Sequence, residues 1–377
     1  MTDINDFPAL FRNQIPLIDT RAPVEFNRGS LPSAINLPLM NDAERESVGR
    51  CYKDDGPEAA IALGHQLVTG TVRDDRIAAW AEFTKAHPQG ALFCFRGGMR
   101  SKLSQQWLKD AGIDYPRISG GYKALRRWLI DSSDKIYSQQ GFIVVAGKTG
   151  CAKTRLINHG ASGGRLPGGI DLEGLANHRG SSFGRRDGGQ PTQINFEIAV
   201  DIALFNASEE PVSHIIAEDE SRLIGRCALA QNLQNCLKSA PMVVVEASLE
   251  DRVDHSFENY ILANLADLQV RLGDTSEAFD HFTGDLYAAL DRIKKRLGGE
   301  RHCALTRQLD DAIASHLRGD TSVHRGWIAS LLRDYYDPMY NYQLENRKER
   351  IVFRGNETEV AGFLLTQQHD LYSRKHT

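Results

Sequence analysis

Phe142-Ile-Val-Val-Ala146-Gly147-Lys-Thr149-Gly150-Cys151-Ala152-Lys153-Thr154 passes from apolar, largely β-branched residues into a glycine-bearing loop and then into Arg155-Leu-Ile157, the start of a helix. Strand, loop and helix in that order fit the phosphate-loop pattern G-x-x-x-x-G-K-[ST], with Ala152 in place of the second glycine. Backbone amides of Gly147, Thr149, Gly150, Cys151 and Ala152 would cradle phosphates, Lys153 would reach the terminal one, and Thr154 could hold Mg²⁺. A plain glycine-rich turn is the alternative. Ala152 crowds the loop, so efficient ATP hydrolysis is not assumed. An acid is expected at a second strand end, and His214-Ile-Ile-Ala217 runs into Glu218-Asp219-Glu220. Glu218 or Asp219 is the candidate for a metal-bound water, solvated loop acids being the alternative. With no base-reading motif behind it, the loop is open to any diphosphate.

Met242-Val-Val-Val-Glu246 reads as another strand, and residues 250–345 are mostly helical, with Leu, Ala, Arg and Glu at three- and four-residue spacing. In front of the loop, Ile15–Asp19 and Ala91–Cys94 read as short buried strands, Ser101–Ala111 as a helix, and Gly120–Ile130 as an amphipathic helix leading out. The expected fold class is α/β: a parallel-sheet domain over 1–130, a polar linker over 131–140, a P-loop NTPase-like α/β domain over 141–300 and a mainly helical region over 301–377. Two to three domains suit 377 residues.

Composition sets the class. At 41% hydrophobic and 25% charged the chain is neither disordered nor fibrous. No apolar run reaches the roughly 18 residues of a membrane helix, and Met1-Thr-Asp-Ile-Asn-Asp6 has neither the basic nor the apolar region of a signal peptide, so a cytoplasmic protein with no membrane partner is expected. A net charge of −4 argues against bulk DNA binding but leaves room for a local basic groove for RNA. The six cysteines form no C-x-x-C pair, which argues against a zinc ribbon and, in a reducing compartment, against a disulfide framework. No certain metal ligand set stands out.

One cysteine differs from the rest. Cys94 closes a strand and is followed by Phe-Arg96-Gly97-Gly98-Met-Arg100-Ser101 and a helix. Glycines let amides point inward, the helix N-terminus adds partial positive charge, and Arg96 and Arg100 add full charges, a setting that should favour a thiolate and hold an anion against it. Ahead of it, Asp19-x-Arg21-x-x-x-Glu25-Phe26-x-x-Gly29-x-Leu31-x-x-Ala34-x-Asn36-Leu37-Pro38 is similar to the N-terminal signature of rhodanese domains, in which a cysteine at this place carries sulfur as a persulfide. Arg100 lies six residues after Cys94 rather than five, a spacing that also resembles cysteine phosphatases of rhodanese-like fold and suits a tetrahedral oxyanion such as phosphate or selenophosphate. Phe93 stands where phosphatases usually place a histidine.

The two modules are joined by further matches: Val48-Gly-Arg-Cys-Tyr-Lys53, Gly120-Gly-Tyr-Lys-Ala124, Asp171-Leu-Glu-Gly-Leu-Ala-Asn-His178-Arg-Gly-Ser-Ser-Phe-Gly184, Glu218-Asp-Glu-Ser-Arg-Leu-Ile-Gly225 and Tyr335-Tyr-Asp-Pro-Met-Tyr340. Together they resemble the bacterial tRNA 2-selenouridine synthase family. The resemblance implies a transferase acting on the wobble uridine of 2-thiolated tRNA. Its sulfur is geranylated from geranyl diphosphate, then exchanged for selenium from selenophosphate, with no tightly bound cofactor. Assigning the diphosphate to the P-loop and selenium, as a Cys94 selenopersulfide, to the first domain follows from the chemistry of each site. Partners implied are tRNA and a selenophosphate supplier. A cysteine phosphatase coupled to a kinase-like domain and a non-catalytic RNA-binding module are the rival readings.

Within the glycine-rich stretch Gly160–Gly189, Asp171 is a candidate second metal or base residue and His178 a candidate for proton transfer. Arg126-Arg127, Lys294-Lys-Arg296 and Arg347–Arg350 are short basic clusters that solvated helix faces would also explain. Tyr335, Tyr336, Tyr340 and Tyr342 could stack unpaired bases or pack between helices.

Overall fold

The computed structural model describes residues 3–159 and 164–375, with side chains as far as 368; residues 160–163 of the glycine-rich stretch lie outside them. It divides into two compact units, Met1–Lys135 with Thr192–Asn206, and Ile136–Pro191 with Ala207–Thr377. Among the described residues no helix is long and apolar enough to cross a membrane.

The first unit is built on three parallel strands in the order β2-β1-β3, with β1 at Leu17–Asp19, β2 at Ala34–Asn36 and β3 at Ala91–Phe93. Both β1 and β3 are buried throughout because helices cover both faces. Leu17 and Phe93 pack with Leu125, Ile198 and Phe205, while Ile18 and Leu92 pack with Trp80, Trp107 and Leu108. The helix expected after the cysteine loop runs Met99–Asp110.

The expected linker over 131–140 is not one. Helix Gly121–Gln139 continues through it. The polar run Asp131-Ser-Ser-Asp134 reads as linker only when its partner is out of view: the buried Ser133 hydroxyl donates to Asp201 Oδ1 at 2.7 Å on helix Gln193–Ser208. That distant helix completes the first unit, with Phe205 edge-on to Trp128 at 5.0 Å and Ile194 filling the space beside Gly29. The unit is therefore discontinuous in sequence, unlike the 1–130 block expected.

The second unit holds a five-stranded, all-parallel sheet in the order β10-β9-β4-β6-β5. The strands are β4 Gly141–Ala146, β5 Gly169–Ile170, β6 His214–Glu218, β9 Met242–Val245 and β10 Ile351–Gly355; β7 Leu223–Ile224 and β8 Cys227–Ala228 form a separate antiparallel ribbon. β10 interrupts a region expected to be helical. It is a short edge strand with alternate residues partly exposed, so only its pairing with β9 reveals it. Residues 249–345 form a helical layer around Phe282, Leu290, Trp327 and Leu331. Two turns of π-helix interrupt it, at Glu258–Ala263 and Leu332–Tyr336.

Candidate active sites

β4 delivers its loop as expected. Helix Lys153–His159 follows directly, and the Lys153 ammonium donates to the Gly147 carbonyl at 3.2 Å. The loop is tight: a side chain at Gly147 would strike Cys151 Sγ at 2.4 Å, and one at Gly150 would strike the Arg252 carbonyl at 2.7 Å. Ala152 has φ +60°, a left-handed conformation in which an L-residue is strained and a glycine is not, so the departure from the motif falls where it costs the most.

β6 brings Glu218 to Thr154. The threonine hydroxyl donates to Glu218 Oε1 at 2.6 Å and lies 3.2 Å from Glu173 Oε2, and the Glu173 amide donates to Glu218 Oε2 at 3.0 Å. Glu218 is fully buried, and burial, then the charges of Glu173 and Asp171, push its carboxyl up to about 8. Glu220 is also raised, first by burial and then by Glu173. Burial pulls Lys153 down, but Cys151, Glu173, Tyr340 and Glu220 more than offset it and keep the ammonium charged.

Asp219 is turned away from this cluster. It lines the cavity but is held in a two-point ion pair with Arg347 at 2.7 and 2.8 Å, whereas fully buried Glu218 meets Thr154 behind the wall. Asp171 is occupied too: it caps helix Leu172–Leu175 by accepting from the Gly174 amide at 2.6 Å and accepts from Asn158 at 2.7 Å. The carboxylate at the site from this motif is Glu173. His178 is buried and does not line the cavity; burial, then Arg292 and its neighbouring arginines, lower it to about 4, which holds the ring neutral.

A cavity of about 720 Å³ opens over the loop. One wall is Gly147–Thr154 with Glu173 and Glu220; the other is aromatic, with Tyr260, Tyr335, Tyr336 and Tyr340. Both π-helical turns supply this wall, Asn259 and Tyr260 from the first and Tyr335 and Tyr336 from the second. Such insertions rotate successive side chains off the regular helical stripe and occur often at functional sites. Ser182 ties its own segment down by hydrogen-bonding the Tyr336 hydroxyl at 2.6 Å.

In the first unit Cys94 sits at the end of β3, buried, with Sγ 3.1 Å from the Ser101 hydroxyl. Helix Met99–Asp110 begins at the far end of the loop between them, with Gly98 at its N-cap and no side chain capping it. Helix Gly121–Gln139 closes the loop from behind, its Tyr122 and Lys123 amides donating to the Cys94 and Phe95 carbonyls at 2.9 Å each. This close approach explains the glycine pair: a Cβ on Gly121 would lie 2.2 Å from the Cys94 carbonyl oxygen.

The early motif braces this loop. Arg21 forks onto Asp19 at 2.6 and 2.8 Å, donates to the Gly29 carbonyl at 2.8 Å, and lies over the Tyr122 ring at 3.9 Å. Glu25 holds Arg100 at 2.5 and 3.1 Å; burial alone would raise the Glu25 carboxyl, but Arg100, then the Ala22 amide and Arg45, hold it below its usual value. Arg96 is exposed on the loop and faces the Phe95 ring at 5.8 Å.

A family model described as the tRNA 2-selenouridine synthase AAA domain matches residues 140–371. Relatives named tRNA 2-selenouridine synthase match almost end to end. The one from Hahella chejuensis is 51% identical over 362 residues, 96% of this chain and 94% of that protein. The one from Alcanivorax borkumensis is 49% identical over 364 residues, 96% and 98% of the two chains. The chain belongs to the tRNA 2-selenouridine synthase family. It is a tRNA-modifying enzyme family, and the P-loop unit is its AAA-type domain.

For a member of this family, the expected RNA-binding residues fall in unexpected places. Arg126 is ion-paired to Glu197 within the first unit, while Arg127 is exposed and makes only a surface pair with Asp131 one turn on at 3.1 Å. Tyr335 and Tyr340 are walls of the P-loop cavity rather than a separate surface. Reading the sequence missed Glu173, Tyr260, Arg179 and Arg186 as site residues. The signal for the arginines is there, in the run His178-Arg179 … Arg185-Arg186, but only the fold shows which of them turn into the cavity.

Proposed function

We propose that this chain converts wobble 2-thiouridine of tRNA to 2-selenouridine through S-geranyl-2-thiouridine, using geranyl diphosphate and selenophosphate. The observation that carries the reading is the pairing of a buried thiol at an amide-and-arginine loop in one unit with a phosphate loop facing an aromatic wall in the other.

In the first step the thiocarbonyl sulfur attacks the allylic carbon of the geranyl group, the carbon–oxygen bond to diphosphate breaks, and the uridine N3 proton passes to the released diphosphate. Loop amides and Lys153 take up the charge on the leaving diphosphate, and the tyrosine wall shields the prenyl chain from water. Thr154, Glu218 and Glu173 offer hard oxygen donors that fit Mg²⁺, which when bound would neutralise diphosphate charge. Among the described residues no group of three His, Cys, Asp or Glu side chains could hold a metal alone, so such an ion would lean on substrate oxygens and water. In the second step the selenium of selenophosphate adds at C2, geranylthiolate leaves, a better leaving group than the original sulfur, and water then cleaves the Se–P bond to release phosphate. The first unit acts here as a rhodanese-like domain: the Cys94 loop holds the selenophosphate for this step, with Arg100, fixed by Glu25, as counter-charge. Arg96 stands at the mouth of the loop. The selenophosphate comes from an enzyme that makes it, and the cytoplasm, where tRNA is, is the place for the reaction.

Nucleoside mass spectrometry of tRNA incubated with variants tests the assignment. Cys94→Ala should abolish 2-selenouridine while S-geranyl-2-thiouridine accumulates. Lys153→Ala should lose geranylation yet still convert supplied S-geranyl tRNA. Normal selenouridine from the first variant, or wild-type geranylation by the second, would overturn it.

A further inference from the structure

The wall of the P-loop cavity carries three arginines with no assigned task. Arg179, Arg186 and Arg296 all line it. None forms an ion pair with a carboxylate among the described residues, although Arg252, Arg347 and Arg155 of the same unit all do. Arg179 donates one N–H to Asn264, but its Nε, like that of Arg186, is buried without an acceptor. Leaving such a donor unmet is costly, more so when it is charged. Burial, and then the nearby Arg186, weaken Arg179's hold on its proton more than Asp267 and Glu173 strengthen it. Burial, and then Arg292 and the same arginines, keep buried His178 neutral. Among the described residues no carboxylate comes within ion-pair distance of the three, which leaves room for an anion.

The diphosphate does not fill that need, because loop amides and Lys153 already serve it. The second reactant does carry the missing charge. On the reading proposed above, on which this inference rests, a thiouridine must enter the same cavity to reach the geranyl carbon. Its nucleotide brings a backbone phosphate with it. Guanidinium groups match phosphate oxygens two at a time, and Tyr335 and Tyr340, the half-buried tyrosines of the wall, can take an unpaired base. We propose that Arg179, Arg186 and Arg296 form a second anion site that grips a backbone phosphate of the target tRNA nucleotide and so sets the base against the P-loop-bound diphosphate.

The test uses the full chain, a 2-thiouridine anticodon stem-loop titrated between 50 and 200 mM KCl, and geranyl diphosphate titrated separately. R179Q/R186Q and R296Q should each weaken RNA binding, the double variant about tenfold or more. Each lost phosphate contact should flatten the logarithmic salt slope by about 0.7, the single-strand value. Geranyl diphosphate affinity should stay within about twofold of wild type. Should the double variant not fold, R296Q carries the test, since Arg296 is exposed on helix Thr275–Leu297. RNA affinity and slope unchanged in the variants, while wild type binds RNA, would overturn this site alone. Geranyl diphosphate binding falling in step with RNA would return the arginines to the diphosphate. Wild-type protein that binds geranyl diphosphate but no RNA would overturn the functional reading and this site with it.

Discussion

Asp337→Ala should loosen the phosphate loop from a distance. Arg252, on helix Leu249–Phe257, is almost wholly buried and ends in a two-point ion pair with Asp337 at 2.6 and 2.8 Å. It backs the loop directly: its carbonyl lies against the face of Gly150, and its guanidinium is 3.5 Å from the Thr149 carbonyl. Lys148 of the loop also lies 3.6 Å from the Asp337 carboxylate. Removing that carboxylate strands a buried cation, which costs about 3–5 kcal/mol. The side chain of Asp337 is 16% exposed, so water can enter, and the lower figure applies. For a unit of this size 1 kcal/mol is worth about 2–4 °C, so about 3 kcal/mol lowers the midpoint by roughly 6–12 °C. Circular dichroism melting of the full chain would show it, together with weaker geranyl diphosphate binding. Arg252→Met with Asp337→Leu, which removes both charges, should recover most of the loss. A single Asp337→Ala variant melting within about 2 °C of wild type would refute the reasoning.

Other expectations follow from single positions. Gly121→Ala places a Cβ 2.2 Å from the Cys94 carbonyl at φ +62°, so strain and overpacking together should cost about 2–5 kcal/mol; selenium transfer should fall while geranylation persists, measured as separate half-reactions. Ala152→Gly relieves about 1 kcal/mol of left-handed strain but frees the unfolded chain by a similar amount, so the melting point should barely move and diphosphate binding should not weaken. His324 is buried, with Nδ1 accepting from Trp327 Nε1 at 3.0 Å and Nε2 3.1 Å from His316 Nδ1. Burial, then His316, lower it to about 4 against 6.5 unfolded, so only the unfolded chain takes the proton in between. Stability is then complete above about pH 6.5 and falls as pH drops toward 4, by up to about 3 kcal/mol; His324→Gln should flatten that dependence in a melting series.

Contiguous chemistry was legible from the chain alone. Both loops, at Cys94 and at Gly147–Thr154, are strand–turn–helix units whose working atoms lie within about ten residues, so apolar runs, glycines and helix starts mark them without any knowledge of the fold. The glycine pair at 120–121 and the Asp19, Arg21 and Glu25 pattern were legible as motifs, though not as the brace they form. What depends on direction or distance was not. Successive residues at a strand end point opposite ways, so choosing Glu218 over Asp219 required seeing Thr154 on one side and Arg347 on the other. Arg126 looked free because Glu197 lies 71 residues away, and the polar stretch after Ile130 looked like linker because Asp201 is out of sequence reach. The π-turns at 258–263 and 332–336 leave no periodic signature, yet they turn Tyr260 and Tyr336 toward the phosphate loop. Local propensity and spacing determined where the reactive loops lie; only tertiary packing, which brings charges from distant segments within a few ångströms, decided which acids and cations remain free to act.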